Sequence, residues 1–132
     1  MGLGSARLRI DSYRDLKVWQ LAMDRVAAVY EISAAFPISE RYGLVAQVRR
    51  TAISIASNIA EGHARKSTSE YLRFLSIAFA SLAELETQIL IADRLGYLNH
   101  DLDAVISTTT QIGKMLRGIE QSLRRKRATA AP

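Results

Sequence analysis

Residues 47 to 62 read QVRRTAISIASNIAEG, and the fold turns on whether this stretch is a helix built for packing or a segment carrying chemistry. On a helical wheel Val45, Val48, Ala52, Ile55 and Ile59 form one apolar stripe, and Ala46, Ile53, Ala56 and Ala60 form a second beside it. Gln47, Arg50, Ser54, Ser57, Asn58 and Glu61 take the remaining arc. A helix inside a monomeric bundle needs an apolar face of about 100° or slightly more. Two stripes exceed that, so a second buried surface is expected, most economically a subunit contact.

Working outward, three more helical segments flank this one. The chain has only two prolines, Pro37 and Pro132, and no stretch sustains the strict alternation of a half-buried strand. The first helix is predicted to start at Asp11 or Ser12, to run along Leu16, Trp19, Met23, Val26 and Tyr30, and to stop before Pro37, which disfavours helical geometry at Phe36. Ser39 is expected to cap the second helix, which closes at Gly62 as a left-handed C-terminal residue. Ser67 and Glu70 have capping-box spacing and open a third helix ending at Gly96, with the seam Tyr71, Leu75, Ala78, Leu82, Leu85, Ile89 and Ala92. Asn99 or Asp101 caps a fourth, with Leu102, Val105, Thr109, Ile112, Leu116, Ile119 and Leu123 facing inward. Short loops between four helices imply an all-α, antiparallel up-and-down four-helix bundle. The expected organisation is a flexible N-terminus over 1–11, the bundle over 12–123 and a basic, disordered tail over 124–132.

A chain of 132 residues is the size of one domain. It has no cysteine, which removes disulfides, thiolate metal sites and cysteine nucleophiles. No unbroken apolar run approaches the roughly 20 residues of a membrane span, and MGLGSARLRI lacks the apolar core of a secretory signal. A cytoplasmic protein without a membrane partner is expected.

The net charge is +5, and residues 114 to 132 supply all of it: Lys114, Arg117, Arg124, Arg125, Lys126 and Arg127 stand against Glu120 alone. Such a run reads either as a phosphate-seeking arm or as a solubilising tail. Arg41, Arg49 and Arg50 on the second helix and Arg65 and Lys66 in the following loop offer further phosphate contacts, with solvated surface charge as the commoner explanation. Repetition around an oligomer would let several modest patches act on one polyanion.

Enzymatic signals are missing by type. There is no phosphate-binding Gly-rich loop, HExxH helix or G-x-S-x-G elbow. His63 and His100 do not supply the Glu-x-x-His pairs of a di-metal bundle. Glu84 and Glu86 lie two apart and point to different helix faces, so neither forms a catalytic pair; one of them is expected to neutralise Arg49 or Arg50. Neither an enzyme, a cofactor nor a metal is expected. Counting outward from the loops sets Trp19 opposite Ala56 and Ser57, and Asn58 level with Tyr71, which reads as packing.

The segments YRDLKVWQLAMDRVAAVYEIS, FPISERYGLVAQVRRTAISIASNIAEG and SEYLRFLSIAFASLAELETQILIADRLGYL resemble the bacterial four-helix-bundle family of 23S ribosomal RNA intervening-sequence proteins, from about Tyr13 to Leu123. LKVWQ, FPxxE, QxRR, SIxxNIAEG and SLAELETQ occur in order and at compatible spacing. The chain departs from the family pattern at Ala80, where glycine is usual, and at Ala56, where proline is frequent. The resemblance implies a homo-oligomer, a pentameric ring of bundles. The accessory proteins of diversity-generating retroelements are similar in fold, and there a basic pentamer serves reverse transcriptase and RNA. The leading expectation is therefore a non-enzymatic oligomer that binds RNA or other nucleic acid through backbone phosphates. Its alternative is a scaffold whose ring engages a protein partner.

Overall fold

A computed structural model describes residues 10–130, which contain four long α-helices and no strands. They are α1 (Lys17–Ala34), α2 (Leu44–Ala64), α3 (Thr68–Arg94) and α4 (Leu102–Ala130). Two 3₁₀ turns, Tyr13–Asp15 and Ile38–Glu40, lead into α1 and α2. The segment expected over 1–11 lies almost wholly outside the described residues.

Several helix ends follow local chemistry, and others do not. Ser12 caps only the 3₁₀ turn before α1, through a capping box with Asp15. The helix α1 itself starts later than expected from Asp11 or Ser12, at Lys17, because Leu16 is extended, and no side-chain cap bond opens it. Ser67 Oγ accepts the Glu70 amide at 3.1 Å, and Asp101 Oδ1 accepts the Asp103 amide at 3.2 Å, as caps of α3 and α4. Gly96, at φ 78°, ends α3: its amide bonds to Asp93 O and that of Tyr97 to Ala92 O, a paired closure that needs a left-handed residue.

Ser39 does not cap α2. It sits inside the 3₁₀ turn, and α2 starts later, at Leu44, whose amide is taken by Glu40 Oε1 at 3.1 Å. Gly62 does not end α2 either. The helix continues to Ala64, and the missing side chain serves an inter-helix contact: a Cβ there would lie 3.0 Å from Phe74 Cβ and 3.1 Å from Tyr71 Cδ1. The tail boundary expected after residue 123 also gives way, because α4 carries on through Arg124, Arg125, Lys126 and Arg127 to Ala130. No glycine or proline interrupts RRKRATA, and basic residues suit the negative end of the helix dipole.

Ile55, Ile59, Leu75, Leu85, Ile112 and Leu116 are fully buried and form the centre of one core. Removing each such side chain from water stabilises the fold by roughly 1.5–3 kcal/mol. The seams expected for the last three helices are the buried ones, apart from half-buried positions at their ends. The seam of α1 is displaced by one residue. Val18, Ala22, Arg25, Val29 and Ile32 face inward, whereas Met23 and Tyr30 are 45% and 41% exposed. A residue step rotates a helix by about 100°, so the bulkier neighbouring stripe was an equally regular but wrong choice.

α3 is the one helix among the described residues long and apolar enough by composition to cross a membrane, with a mean hydropathy of 1.5 over 18 residues. Ser76, Ser81, Glu84, Glu86 and Gln88 interrupt its apolar run, so the sequence holds no unbroken apolar stretch of spanning length. Its buried face is taken up by α2 and α4, and its pairing with α2 is the most extensive in the molecule.

Two polar residues of the decisive stretch, Ser54 and Asn58, are bonded to each other and, through Ser54, to α3. Asn58 Nδ2 donates to Ser54 O at 2.8 Å and to Ser54 Oγ at 3.1 Å, and Ser54 Oγ meets Ser81 Oγ at 2.9 Å. Asn58 therefore does not reach Tyr71, whose ring instead packs edge-on against His63 at 5.8 Å. Ser57 is exposed, and the indole of Trp19 meets Tyr13 edge-on at 5.2 Å. The small residue buried on that turn is Ala56. Ser57→Leu is accordingly expected to leave the stability of the protomer within about 0.5 kcal/mol. A stability from urea unfolding lowered by more than that, at a concentration where the protomer is isolated, would return Ser57 to the packed interior.

Candidate nucleic-acid interface

The link between α2 and α3 is only Arg65, Lys66 and Ser67, so two basic side chains are held at the end of the bundle, both exposed. The Arg65 guanidinium lies 4.7 Å from the Phe74 ring centroid and 3.9 Å from Glu61 Oε1. Arg127 Nη1 donates to Ser69 Oγ at 3.2 Å, which sets the last turns of α4 beside the first turn of α3. Six of the nine expected contact residues thus gather at one end: Arg65, Lys66, Arg124, Arg125, Lys126 and Arg127.

Four consecutive basic residues on a helix step by about 100° each, so Arg124 to Arg127 surround the turn before the last with positive charge, and Arg127 alone reaches the last turn. Arg124 pairs with Glu120 at 3.1 Å, and Glu120 is also 3.9 Å from Arg117. Exposed pairs of this kind contribute about 0–1 kcal/mol and leave the guanidinium open to a competing phosphate. Arg125 and Lys126 form no ion pair among the described residues. An apolar pocket of about 420 Å³ opens nearby between the start of α1 and α4, lined by Leu16, Val18, Met115, Ile119 and Leu123.

Arg41, Arg49 and Arg50 lie elsewhere. Arg49 and Arg65 are 16 residues apart in sequence along α2, about 24 Å at 1.5 Å per residue, so the two basic groups do not form one patch. Arg49 is tethered: Nε donates to Ser33 Oγ at 2.9 Å, Nη2 to Tyr30 O at 3.2 Å, and the guanidinium covers the Tyr30 ring at 4.4 Å. Arg41 is exposed beside the Tyr42 ring at 5.6 Å, and Arg50 is exposed. Neither Glu84 nor Glu86 forms an ion pair with Arg49 or Arg50 among the described residues. The tyrosine face and a serine hydroxyl hold Arg49 instead.

One charged group escaped the sequence reading altogether. Arg25 is only 6% exposed, and burial pushes its guanidinium below the ordinary arginine value. Its place between Ala22 and Val29, at spacings of three and four, was the available signal. At the same end of the bundle the Tyr97 hydroxyl donates to Glu40 Oε2 at 3.2 Å, and that bond raises the tyrosine above its usual range. Among the described residues no three His, Asp or Glu side chains come together to hold a metal.

The family model described as 23S rRNA-intervening sequence protein matches residues 14–118, well over half of the chain. No curated protein matches it.

Proposed function

Because the chain belongs to the 23S rRNA-intervening sequence protein family, we propose that it is a non-enzymatic cytoplasmic oligomer that binds RNA through backbone phosphates at the basic end of the bundle. The observation that carries this reading is the Arg127–Ser69 bond, which adds the basic turn of α4 to Arg65 and Lys66. Phosphate contacts need donors and positive charge without base-specific geometry. Arg125 and Lys126, exposed and without an ion pair among the described residues, supply both.

The bundle is antiparallel, up and down. Supporting this, Ser54 meets Ser81 and Gly62 approaches Phe74 and Tyr71, so the contacts of α2 and α3 move apart from their shared loop together. Assembly is supported by the second stripe of α2, where Ile53 is 43% exposed between half-buried Ala46 and Ala60; a ring of five is the form that the family resemblance implies. Ile77, Leu90 and Ile91 on α3 are also exposed. A ring would repeat the basic end several times around one polyanion.

The test is a single-stranded RNA titration at about 50 and 200 mM salt, for the intact protein and for a variant with Arg124, Arg125, Lys126 and Arg127 changed to alanine. Binding is expected to weaken steeply with salt. If all four side chains meet phosphates, the variant's logarithmic salt slope is shallower by about 3, at roughly 0.7 per single-strand contact. No binding at the lower salt, or an unchanged slope, rejects the interface and favours the protein scaffold. Sedimentation in parallel is expected to give a pentamer, and a micromolar monomer would contradict the assembly.

A further inference from the structure

Where α1 passes the start of α4, far from the basic end, a pocket of about 260 Å³ is lined by charges of both signs. Arg25 belongs to it, and so do Glu31, His100 and Asp101; Ala28, Ile32, Ala104 and Val105 make its apolar walls. We propose that this pocket binds a small zwitterion of the α-amino acid class, its carboxylate on Arg25 and the first turn of α4 and its ammonium between Glu31 and Asp101.

Arg25 carries the argument. It is only 6% exposed, yet its one hydrogen bond among the described residues is from Nη1 to Val105 O at 2.8 Å. Its Nε has no partner, and no carboxylate forms an ion pair with it among the described residues. A buried cation with a single neutral acceptor is under-satisfied, and a carboxylate in reach of its fork gains a strong, desolvated interaction. The start of α4 adds a second, independent attraction for the same anion. The first amides of a helix lack intrahelical acceptors, Asp101 takes up that of Asp103, and the positive end of the helix dipole lies here.

The other charges decide what kind of anion fits. Glu31 and Asp101 are exposed, whereas Arg25 is buried, so the carboxylates stand at the mouth and the guanidinium at the floor. A simple anion would sit against two like charges. A molecule bearing an ammonium next to its carboxylate answers both signs at once. The volume falls below the roughly 300–1,000 Å³ of drug-sized sites, which suits a molecule with a short aliphatic side chain lying against Ile32 and Val105.

The test uses L-leucine as probe, with isovalerate and isopentylamine as its two halves, followed by NMR of the Arg25 Nε–H and the backbone amides of Asp103 and Ala104. L-leucine is expected to shift these signals saturably by about 10 mM, where a ligand with a 1 mM Kd is about nine-tenths bound. Each half should bind at least about tenfold more weakly, a difference of about 1.4 kcal/mol. Glu31→Gln combined with Asp101→Asn, which keeps a capping side chain, should weaken L-leucine about tenfold and leave isovalerate as it was or tighter. Arg25→Met should abolish binding of both; if that variant does not fold, the carboxylate variant decides. Absence of saturable shifts, isovalerate binding as tightly as L-leucine, or indifference to loss of the two carboxylates overturns the proposal.

Discussion

Gly62→Leu is expected to destabilise the bundle by about 3 kcal/mol or more, because overpacking a tight contact typically costs about 1–3 kcal/mol and this one leaves little room for relief. Even a bare Cβ at residue 62 would stand 3.0 Å from Phe74 Cβ and 3.4 Å from the Tyr71 carbonyl oxygen. Backbone and β-carbon atoms cannot swing aside as a side-chain tip can, so α2 and α3 would have to separate along their most extensive pairing. Gly62→Ala sets two effects against each other. Alanine is better than glycine in a helix by about 1 kcal/mol, and the same crowding opposes it. Gly113→Ala is the control: its new Cβ would meet only Leu82 Cδ1, at 3.9 Å, and the helix gain of up to about 1 kcal/mol should appear as added stability. Denaturant midpoints at one protomer concentration, with unchanged m-values, measure all three. A Gly62→Leu protein as stable as the parent would mean that α2 and α3 do not approach each other at this level.

Leu85→Ala is the second large loss, expected at about 2–5 kcal/mol. Leu85 is fully buried, at 0% exposure, and belongs to the single core cluster. Truncation removes its transfer free energy and leaves a cavity whose walls lose their dispersion contacts. Against a total stability of about 5–15 kcal/mol for a domain, that is a large fraction, and roughly 10 °C or more in Tm. Leu90, five residues on, gives the contrast. It is 44% exposed, so Leu90→Ala should leave the protomer's stability nearly unchanged and act, if anywhere, on assembly. Equal effects at both positions would contradict the orientation of α3.

The residues show why some features were legible and others were not. Ser67, Gly96 and Asp101 each satisfy backbone groups within a few residues of themselves; spacing alone gives the first two ends and narrows the third to Asn99 or Asp101. Gly62 was misread because glycine has two uses, a left-handed turn and a close approach, and only the position of α3 distinguishes them. The sequence points to a carboxylate partner for Arg49, yet a tyrosine face and two oxygens of α1 hold it. Arg25 was hidden by a second regular stripe, one residue away, that contained larger apolar side chains.

By itself the sequence determined that the described residues form four helices around one apolar core, where both ends of α3 fall, and which family the chain belongs to, since these depend on interactions between residues at most a few positions apart and on motifs in fixed order. Tertiary structure decided which face of α1 is inside, that Arg127 meets Ser69 across 58 positions, and that Arg25 reaches Val105 across 80. Such contacts depend on how each helix is rotated about its axis. A single residue of offset turns that rotation by about 100°, and only the packing of all four helices together selects it.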